Sequence, residues 1–565
     1  MKKIIIFLLF LTLIPIASAK PLHTTLLAAQ ELNGTLVGST ADAFLEIQDG
    51  RGRVFLETFP LTKIDTQIST RFAKEISCNY FDIDCSNADF IYTIRSNSVI
   101  IGGPSAGAAI AVLTTAGLLD LEMDESVAVT GTINSGGLIG PVGGLKAKID
   151  AAANADIQKV LIPIGTRMYN ESNESIDLIE YGQQKSVEVI EVIDLNEVVQ
   201  YFTGQQILES NKTFTIHPEY TEIMGRVSEQ LCSRSRELNS ELSKFTINQT
   251  IKQDILNKTV RASQAAQEQS YYAAASYCFG LNVQLRTLLY EKQNTKDIDI
   301  RTKAAKLQSE LKVLEQDARE QRLDTIADLQ TLSIVLDRLQ DAQRYLDELK
   351  NEESIATLAL AEERLFSAHA WSEFFAMSGS KIELNDERLE QSCIEKIQEA
   401  KEREQYVQLF LGNIGHITEG IERATGLHEK DEFVQCLIAA SEAKAEANAI
   451  LSTIGVEQDQ LPRLIETKKS AIQTLVARTI DKGAFPILGV SYYEYASSLQ
   501  QYDVHSALLY SEYALELSNL DIYFDEYGTQ RVVDKKSDVI PFIAGIIVGL
   551  TIAGLLFFVH DRKKR

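Results

Sequence analysis

The chain has 565 residues, and its 79 acidic and 55 basic side chains give a net charge of −24 at pH 7. Hydrophobic residues make up 45% of it, which supplies a sizeable core and excludes a globally disordered chain. The acidic balance excludes nucleic acid as the main partner, because binding to the phosphate backbone requires clustered lysine and arginine.

The first 19 residues have the pattern of a secretory signal peptide. Two lysines precede an apolar run from Ile4 to Ala17, and small residues at 17–19 form a cleavage site. We expect cleavage after Ala19. The open alternative is an uncut membrane anchor, for which the apolar run is short, since a membrane-spanning helix needs about 20 residues.

Residues 22–205 alternate between strand and helix signals, which predicts an α+β domain with mixed sheets. The turn-forming residues 49–52, between apolar segments 43–47 and 53–56, predict a β-hairpin. Proline at 104 opens an alanine-rich helix that is predicted to end at Gly117. The elements expected after it are strands at 127–129, 159–163 and 187–192 and helices at 145–155 and 195–203.

Residues 206–217 are predicted to be a linker, and residues 218–530 an α-helical region. Glycine and proline become scarce there, and alanine, leucine, glutamate and lysine recur at helical spacing. The pattern predicts helical hairpins that form a bundle, long antiparallel coiled hairpins or tetratricopeptide-like repeats, and these alternatives stay open. Segment 488–519 has small residues and tyrosines in tetratricopeptide-like positions, but it misses the 34-residue template.

The C-terminus predicts a membrane-spanning helix. Residues 539–559 form 21 positions without a charge, and the tail 560–565 is basic. Because basic flanks stay in the cytoplasm, we expect a single-pass protein of the cell membrane with an extracellular body and a cytoplasmic tail. Gly545 and Gly549 form a GxxxG pair, which permits close helix packing and a homo-oligomer.

Six cysteines form an even set: Cys78, Cys85, Cys232, Cys278, Cys393 and Cys436. An exported body permits disulfides, and pairing of neighbours is the simplest of the possible connectivities. Cys78 with Cys85 is the first pair that we expect, with buried free thiols as the alternative.

Three segments carry the chemistry: Gly-Pro-Ser-Ala-Gly at 103–107, Thr-Gly-Thr-Ile at 130–133 and Pro-Val-Gly-Gly-Leu-Lys-Ala-Lys at 141–148. The first segment alone fits G-x-S-x-G, the nucleophile elbow of α/β-hydrolases. That interpretation needs a later histidine, and the first one after Ser105 is His217, at the start of the helical region. It also leaves the glycine- and lysine-rich third segment unexplained.

Together the three segments resemble the proteolytic domain of Lon-type (S16) serine peptidases, and the resemblance covers roughly residues 25–205. It implies the fold of that domain, which is ribosomal-protein-S5-domain-2-like, and a Ser–Lys dyad. Ser105 corresponds to the nucleophile, Lys148, 43 residues later, to the general base, and Thr130 to the residue that positions the lysine. The supporting positions are Gly103, Pro104, Ala106, Gly107, Gly143 and Gly144.

This assignment is physically coherent, because a serine hydroxyl needs a nearby base and burial favours the neutral form of a lysine. Lys146 is the competing base, but residues two apart on a helix point in different directions. The chain departs from the family at Gly102, Thr132 and Ala147, where many members carry acidic residues, so its local electrostatics and substrate preference are expected to differ.

The sequence contains no GxxxxGK[ST], no HExxH and no paired CxxC motif, so we expect no ATPase, cofactor or metal. The leading hypothesis is an ATP-independent, membrane-tethered serine endopeptidase that cleaves unfolded or flexible polypeptides outside the cytoplasm. The first alternative is a catalytically silent Lon-like domain in a membrane-anchored helical-repeat scaffold. The second is a membrane-anchored helical adaptor whose peptidase only processes itself.

Overall fold

The computed structural model describes residues 21–524, except 33–34, 60, 63, 82, 97–103, 134, 141, 172–173, 209–214, 383, 413, 454–455 and 457. Within this part of the chain, an α/β region is followed by a large, entirely helical region. The predicted order of an α+β domain and a helical region is therefore confirmed.

The chain begins with a four-stranded sheet. Its strands are β1 (Leu22–Leu32), β2 (Thr35–Asp49), β3 (Val54–Phe59) and β4 (Ala88–Ser96), in the order β1-β2-β4-β3. The β1–β2 and β2–β4 pairs are antiparallel, whereas β3 and β4 are parallel. Helix α1 (Ile64–Tyr80) lies between β3 and β4 in the chain and provides the crossover that a parallel pair requires.

The predicted hairpin through residues 49–52 is wrong, because β4 lies between β2 and β3. The carboxylate of Asp89, at the start of β4, accepts hydrogen bonds from the backbone N–H groups of Arg51 at 2.8 Å and Arg53 at 3.0 Å. It also accepts one from the Arg53 guanidinium at 3.0 Å. Asp89 therefore links the turn to β4, the strand that lies between β2 and β3. The turn residues themselves do not indicate that a third strand lies there.

A second sheet follows, with three parallel strands in the order β11 (Glu188–Val192), β8 (Lys159–Pro163) and β5 (Val127–Val129). In chain order, the helices and strands from residue 107 to residue 203 are α2 (Gly107–Leu118), β5 (Val127–Val129), β6 (Thr132–Ile133), β7 (Ile139–Gly140), α3 (Leu145–Asn154), β8 (Lys159–Pro163), β9 (Met168–Glu171), β10 (Glu174–Asp177), α4 (Leu178–Gln184), β11 (Glu188–Val192) and α5 (Leu195–Thr203). Helix α2 is apolar on every side and nearly all of it is buried, so it forms the centre of the core shared by both sheets.

The helical region begins with α6 at Pro218. Its helices are α6 (Pro218–Leu242), α7 (Gln249–Gln267), α8 (Tyr271–Lys292), α9 (Asp297–Arg319), α10 (Ile326–Glu348), α11 (Ile355–Trp371), α12 (Asp386–Leu411), α13 (Gly415–His428), α14 (Phe433–Thr453), α15 (Leu461–Asp481), α16 (Ile487–Leu499) and α17 (Val504–Leu517). Segment 488–519 forms the α16–α17 pair, whose two helices pack against each other.

Three disulfides link neighbouring elements in this structure. Cys78–Cys85 closes the end of α1, Cys232–Cys278 joins α6 to α8, and Cys393–Cys436 joins α12 to α14. Each therefore fixes a local packing arrangement.

The prediction of membrane localisation needs correction. No helix in residues 21–524, with the gaps given above, is long and apolar enough to cross a membrane. The structure therefore does not support a single-pass membrane protein with an extracellular body. The two segments behind that prediction, 1–19 and 539–559, lie outside the described residues, as does the tail 560–565.

Candidate active site

Ser105 lies in a single 3₁₀ turn, Pro104–Ala106, which runs directly into α2. Its side chain is half-buried. The C=O group of Ser105 accepts a hydrogen bond from Gly131 N–H at 3.1 Å, and Gly131 C=O accepts one from Ala108 N–H at 3.1 Å. These two bonds fasten the turn to the chain segment that leaves β5.

Thr130 occupies the preceding position of that same segment. Its N–H donates to Leu161 C=O at 3.0 Å, which extends the β5–β8 pairing by one residue, and its side chain is fully buried. Thr130 Oγ1 accepts a hydrogen bond of 3.0 Å from Lys148 Nζ. Two consecutive residues, 130 and 131, therefore hold the proposed base and the proposed nucleophile, respectively.

Helix α3 delivers Lys148 to this position from its first turn. Gly144 precedes the helix in the left-handed region, with φ of 70°, and its C=O accepts the backbone N–H of Lys148 at 3.0 Å. A Cβ at Gly144 would lie 2.7 Å from the Ala29 Cβ of β1, so the site needs glycine for both space and backbone angle. The absence of a side chain at Gly144 therefore allows the start of α3 to pack closely against β1.

The two candidate lysines point in different directions. Lys148 is 3% exposed, whereas Lys146 is half-buried, and its Nζ lies 5.8 Å from the centre of the Tyr181 ring. Helical spacing predicts this separation. Lys148 donates a hydrogen bond to Thr130, in the segment that holds Ser105, whereas Lys146 lies beside the Tyr181 ring.

Burial controls the charge on Lys148. It lowers the lysine pKa to about 8, because an ammonium loses solvation in an apolar environment. Within the described residues, no carboxylate forms an ion pair with Lys148 to offset that effect. A substantial fraction of the lysine is thus neutral at mildly alkaline pH, which is the form that accepts a proton.

The supporting residues predicted from the sequence do not all lie beside Ser105. Gly103 lies outside the described residues, and Pro104 and Ala106 form the nucleophile turn with Ser105. A Cβ at Gly107 would lie 3.1 Å from the backbone N of Ile133, so the first residue of α2 is in close contact with β6. Gly143 is exposed, and a Cβ there would meet nothing within 4 Å.

The helical region packs against a turn of the α/β region, and no motif in the sequence predicts this contact. After β6, the 3₁₀ turn Ser135–Gly137 packs against α15 and α17. A Cβ at Gly136 would lie 2.9 Å from Leu515 Cδ2, and Arg478 donates to the C=O of Tyr80 at 2.5 Å. These contacts join residues more than 300 positions apart, so only the folded chain reveals them.

Comparison with known proteins identifies the α/β region. Residues 83–203 match the family model of the Lon protease (S16) C-terminal proteolytic domain. The archaeal Lon protease of Methanothermobacter thermautotrophicus is 34% identical over 122 residues, which are 22% of this chain and 18% of that protein. That of Archaeoglobus fulgidus is 32% identical over 135 residues, 24% of this chain and 20% of that protein. The Lon protease of Trichlorobacter lovleyi is 35% identical over 106 residues, 19% and 12% of the two chains.

This chain therefore spans a fifth or less of the length of these relatives. The matched residues include Ser105, Thr130 and Lys148, and they end at the last residue of α5. The resemblance to the Lon proteolytic domain is thus confirmed for residues 83–203.

Proposed function

We propose that this chain, which carries a Lon-type (S16) proteolytic domain in residues 83–203, is a serine endopeptidase that acts through a Ser105–Lys148 dyad. The observation that carries the proposal is the buried Lys148 ammonium on Thr130, one residue from the backbone bond that fixes Ser105. A buried lysine without a carboxylate partner is costly for stability and useful for proton transfer.

In the proposed reaction, Ser105 Oγ attacks the carbonyl carbon of the scissile bond while its proton passes to the neutral amine of Lys148. The resulting tetrahedral oxyanion collapses, the C–N bond breaks, and Lys148 returns the proton to the leaving amine. Water, deprotonated by the same lysine, then hydrolyses the acyl-enzyme and restores Ser105. The N-terminus of α2, where Ala106 offers no side-chain cap, supplies backbone N–H groups close to the developing negative charge.

The proposed substrates are unfolded or flexible polypeptides, cleaved without ATP. The sequence contains no phosphate-binding GxxxxGK[ST] loop to drive unfolding, so a folded substrate would have to open by itself. The scaffold alternative requires that the dyad be silent. The buried Lys148–Thr130 contact argues against it, because a silent site has no need of a desolvated base.

The test is cleavage of fluorescently labelled casein by the full chain and by Ser105→Ala, each with and without ATP and Mg²⁺. We expect wild-type cleavage at the same rate in both conditions and a loss of at least about 1,000-fold in the variant, because removing a nucleophile costs several orders of magnitude. Cleavage by Ser105→Ala at the wild-type rate would refute the dyad. Stimulation of wild-type cleavage several-fold by ATP would refute ATP independence.

A further inference from the structure

A cavity of about 840 Å³ lies in the helical region, away from the Ser105–Lys148 site. Residues from α8, α10, α11, α13, α14, α16 and α17 line it, so it lies where many helices converge. Its volume falls in the range of sites that enclose an organic ligand and far exceeds the space of one inorganic ion.

The cavity wall combines aromatic rings with arginine. Tyr272, Tyr492 and Tyr510 form an aromatic side in which Tyr492 lies 5.9 Å from Tyr272 and 5.4 Å from Tyr510, measured between ring centres. The rest of the lining consists of five basic residues, four acidic residues, Gln340, Gly426 and Leu427. Such a surface suits a ligand that has both an anionic group and an apolar part.

Most of the lining acids are already neutralised. Asp337 pairs with Arg423 at 2.9 Å, and Asp341 pairs with Arg344 at 3.1 Å. The remaining two are Glu432, which pairs with Arg319 at 2.9 Å, and Glu442. Burial, together with the nearby Asp337, raises the pKa of Glu442 to about 8, so this carboxyl group is mostly uncharged at neutral pH.

Arg338 and Lys430 are the two lining cations that form no ion pair among the described residues, and Arg338 is the less exposed of the two. Its Nε donates to Ser367 Oγ at 3.2 Å and its Nη1 to Ile334 C=O at 3.0 Å, and the guanidinium carbon lies 4.7 Å from the centre of the Trp371 ring. Among the described residues, Arg338 pairs with no carboxylate, and its Nη2 has no hydrogen-bond partner. The guanidinium is therefore held in place by other groups, with donors left for an anion from the cavity.

We propose that this cavity binds the C-terminal carboxylate of a polypeptide, with Arg338 as the carboxylate ligand and the tyrosines as the wall for the terminal side chain. We infer an anionic group on the ligand because Arg338 has no carboxylate partner and the acids of the lining are paired or uncharged. The choice of a polypeptide rests on the proposed peptidase function, which brings chain ends to this protein. The site would hold a substrate or product end while Ser105 acts elsewhere on the chain.

The probe is an N-acetylated pentapeptide of alanine and leucine that ends in phenylalanine, prepared with a free C-terminal carboxylate and as the C-terminal amide. Binding to the full-length Ser105→Ala protein is measured by calorimetry, since this variant leaves the peptide intact and separates binding from catalysis. Trp371, the only tryptophan of the chain, reports whether binding occurs beside Arg338 through its fluorescence.

We expect saturable binding of the free acid with a change in Trp371 emission, and at least about tenfold weaker binding of the amide, because one charge-assisted contact is lost. Arg338→Gln should weaken binding of the acid by a similar factor, and Arg338→Lys by less. The matched control is Arg322→Gln, which removes the same charge at a side chain that is 78% exposed and outside the cavity. Its binding should stay within about twofold of the parent protein.

Several results would overturn the proposal: equal affinity for acid and amide, equal weakening by Arg322→Gln, or heat of binding without a change in Trp371 emission. Inorganic phosphate that competes as strongly as the peptide would show a general anion site instead. Because every protein in the series carries Ser105→Ala, these outcomes do not depend on whether the dyad cleaves peptides.

Discussion

Lys148, the proposed general base, is a buried lysine whose burial lowers the stability of the folded chain. Its side chain is 3% exposed, and its only hydrogen bond among the described residues is the one to Thr130. In the unfolded chain the same amine is solvated and keeps its ordinary pKa, whereas in the folded chain burial lowers that pKa to about 8. The folded state therefore binds fewer protons than the unfolded state between these two values, and stability rises with pH there.

The consequence is a stabilising substitution at the proposed catalytic base. Lys148→Met should increase the free energy of unfolding at pH 7 by about 1–3 kcal/mol, because it removes a charge that the folded chain solvates poorly. The gain should be complete below pH 8 and shrink as pH rises from about 8 towards the ordinary lysine value near 10.5. Thermal unfolding at several pH values measures it. Lys146→Met is the control and should change stability by less than about 0.5 kcal/mol at every pH, so an equal gain there would contradict the account.

Much of this site could be predicted from the sequence, because its determinants are local. A serine in a tight turn before a helix, a threonine at the end of a strand and a lysine in a first helical turn each lie within a short motif. The structure places Thr130 and Lys148 in contact and ties Ser105 to Gly131. The value of the Lys148 pKa was not predictable, because burial depends on residues from the whole domain.

At the scale of elements, α1 connects the two parts of the described chain. One side of it packs on α2 and on the nucleophile turn, and its Glu75 carboxylate faces the helical region. Glu75 accepts hydrogen bonds from Lys444 at 2.8 Å and from Arg403 at 3.3 Å. Both cations are nearly inaccessible to solvent, with side-chain exposures of 4% and 0%.

Buried cations depend on their partners, which gives a prediction for this interface. Glu75→Gln should lower the free energy of unfolding by about 2–4 kcal/mol, because Lys444 and Arg403 lose a charge that offsets their desolvation. Glu402→Gln removes the same charge nearby, where Glu402 pairs with the largely exposed Arg71, and should cost less than about 1 kcal/mol. Denaturant titration of both variants measures the difference. Equal costs would show that the Glu75 cluster does not fasten α1.

Elements differ in how well the sequence predicts them. Helices α3 and α5 and the strands β5, β8 and β11 were predicted because each has its own periodicity and end signals. The hairpin at 49–52 failed because Asp89, 36 residues beyond Arg53, decides the strand order. The contacts of Glu75 in α1 with Lys444 and Arg403 could not be predicted from the sequence either, because no motif near any of these residues indicates its partner.

At the scale of the molecule, the helical region and the proteolytic domain are packed together around α1 and the Ser135–Gly137 turn. Separating them would expose Tyr80, the contact surface of Gly136 and the carboxylate of Glu75. The sequence predicted two regions in the right order. It could not predict that the second region packs against elements next to the proposed active site of the first.

We therefore expect the proteolytic domain to be a poor independent unit. A fragment of residues 21–208 should melt at least about 10 °C below the full chain and lose most of its peptidase activity, because α1 is no longer supported from outside. Circular dichroism and a short fluorogenic peptide measure the two quantities. A fragment with the melting temperature and activity of the full chain would show that the helical region is dispensable for the fold and for catalysis.

Cleavage of unfolded casein by Lys148→Met and Lys146→Met across pH tests the proposed Ser105–Lys148 dyad. We expect kcat/KM of the wild-type protein to rise about tenfold per pH unit below pH 8 and to level off above it, as neutral Lys148 accumulates. Lys146→Met should follow the same profile, and Lys148→Met should lose at least about 1,000-fold while remaining folded. Wild-type activity in Lys148→Met, or loss confined to Lys146→Met, would contradict the Ser105–Lys148 dyad.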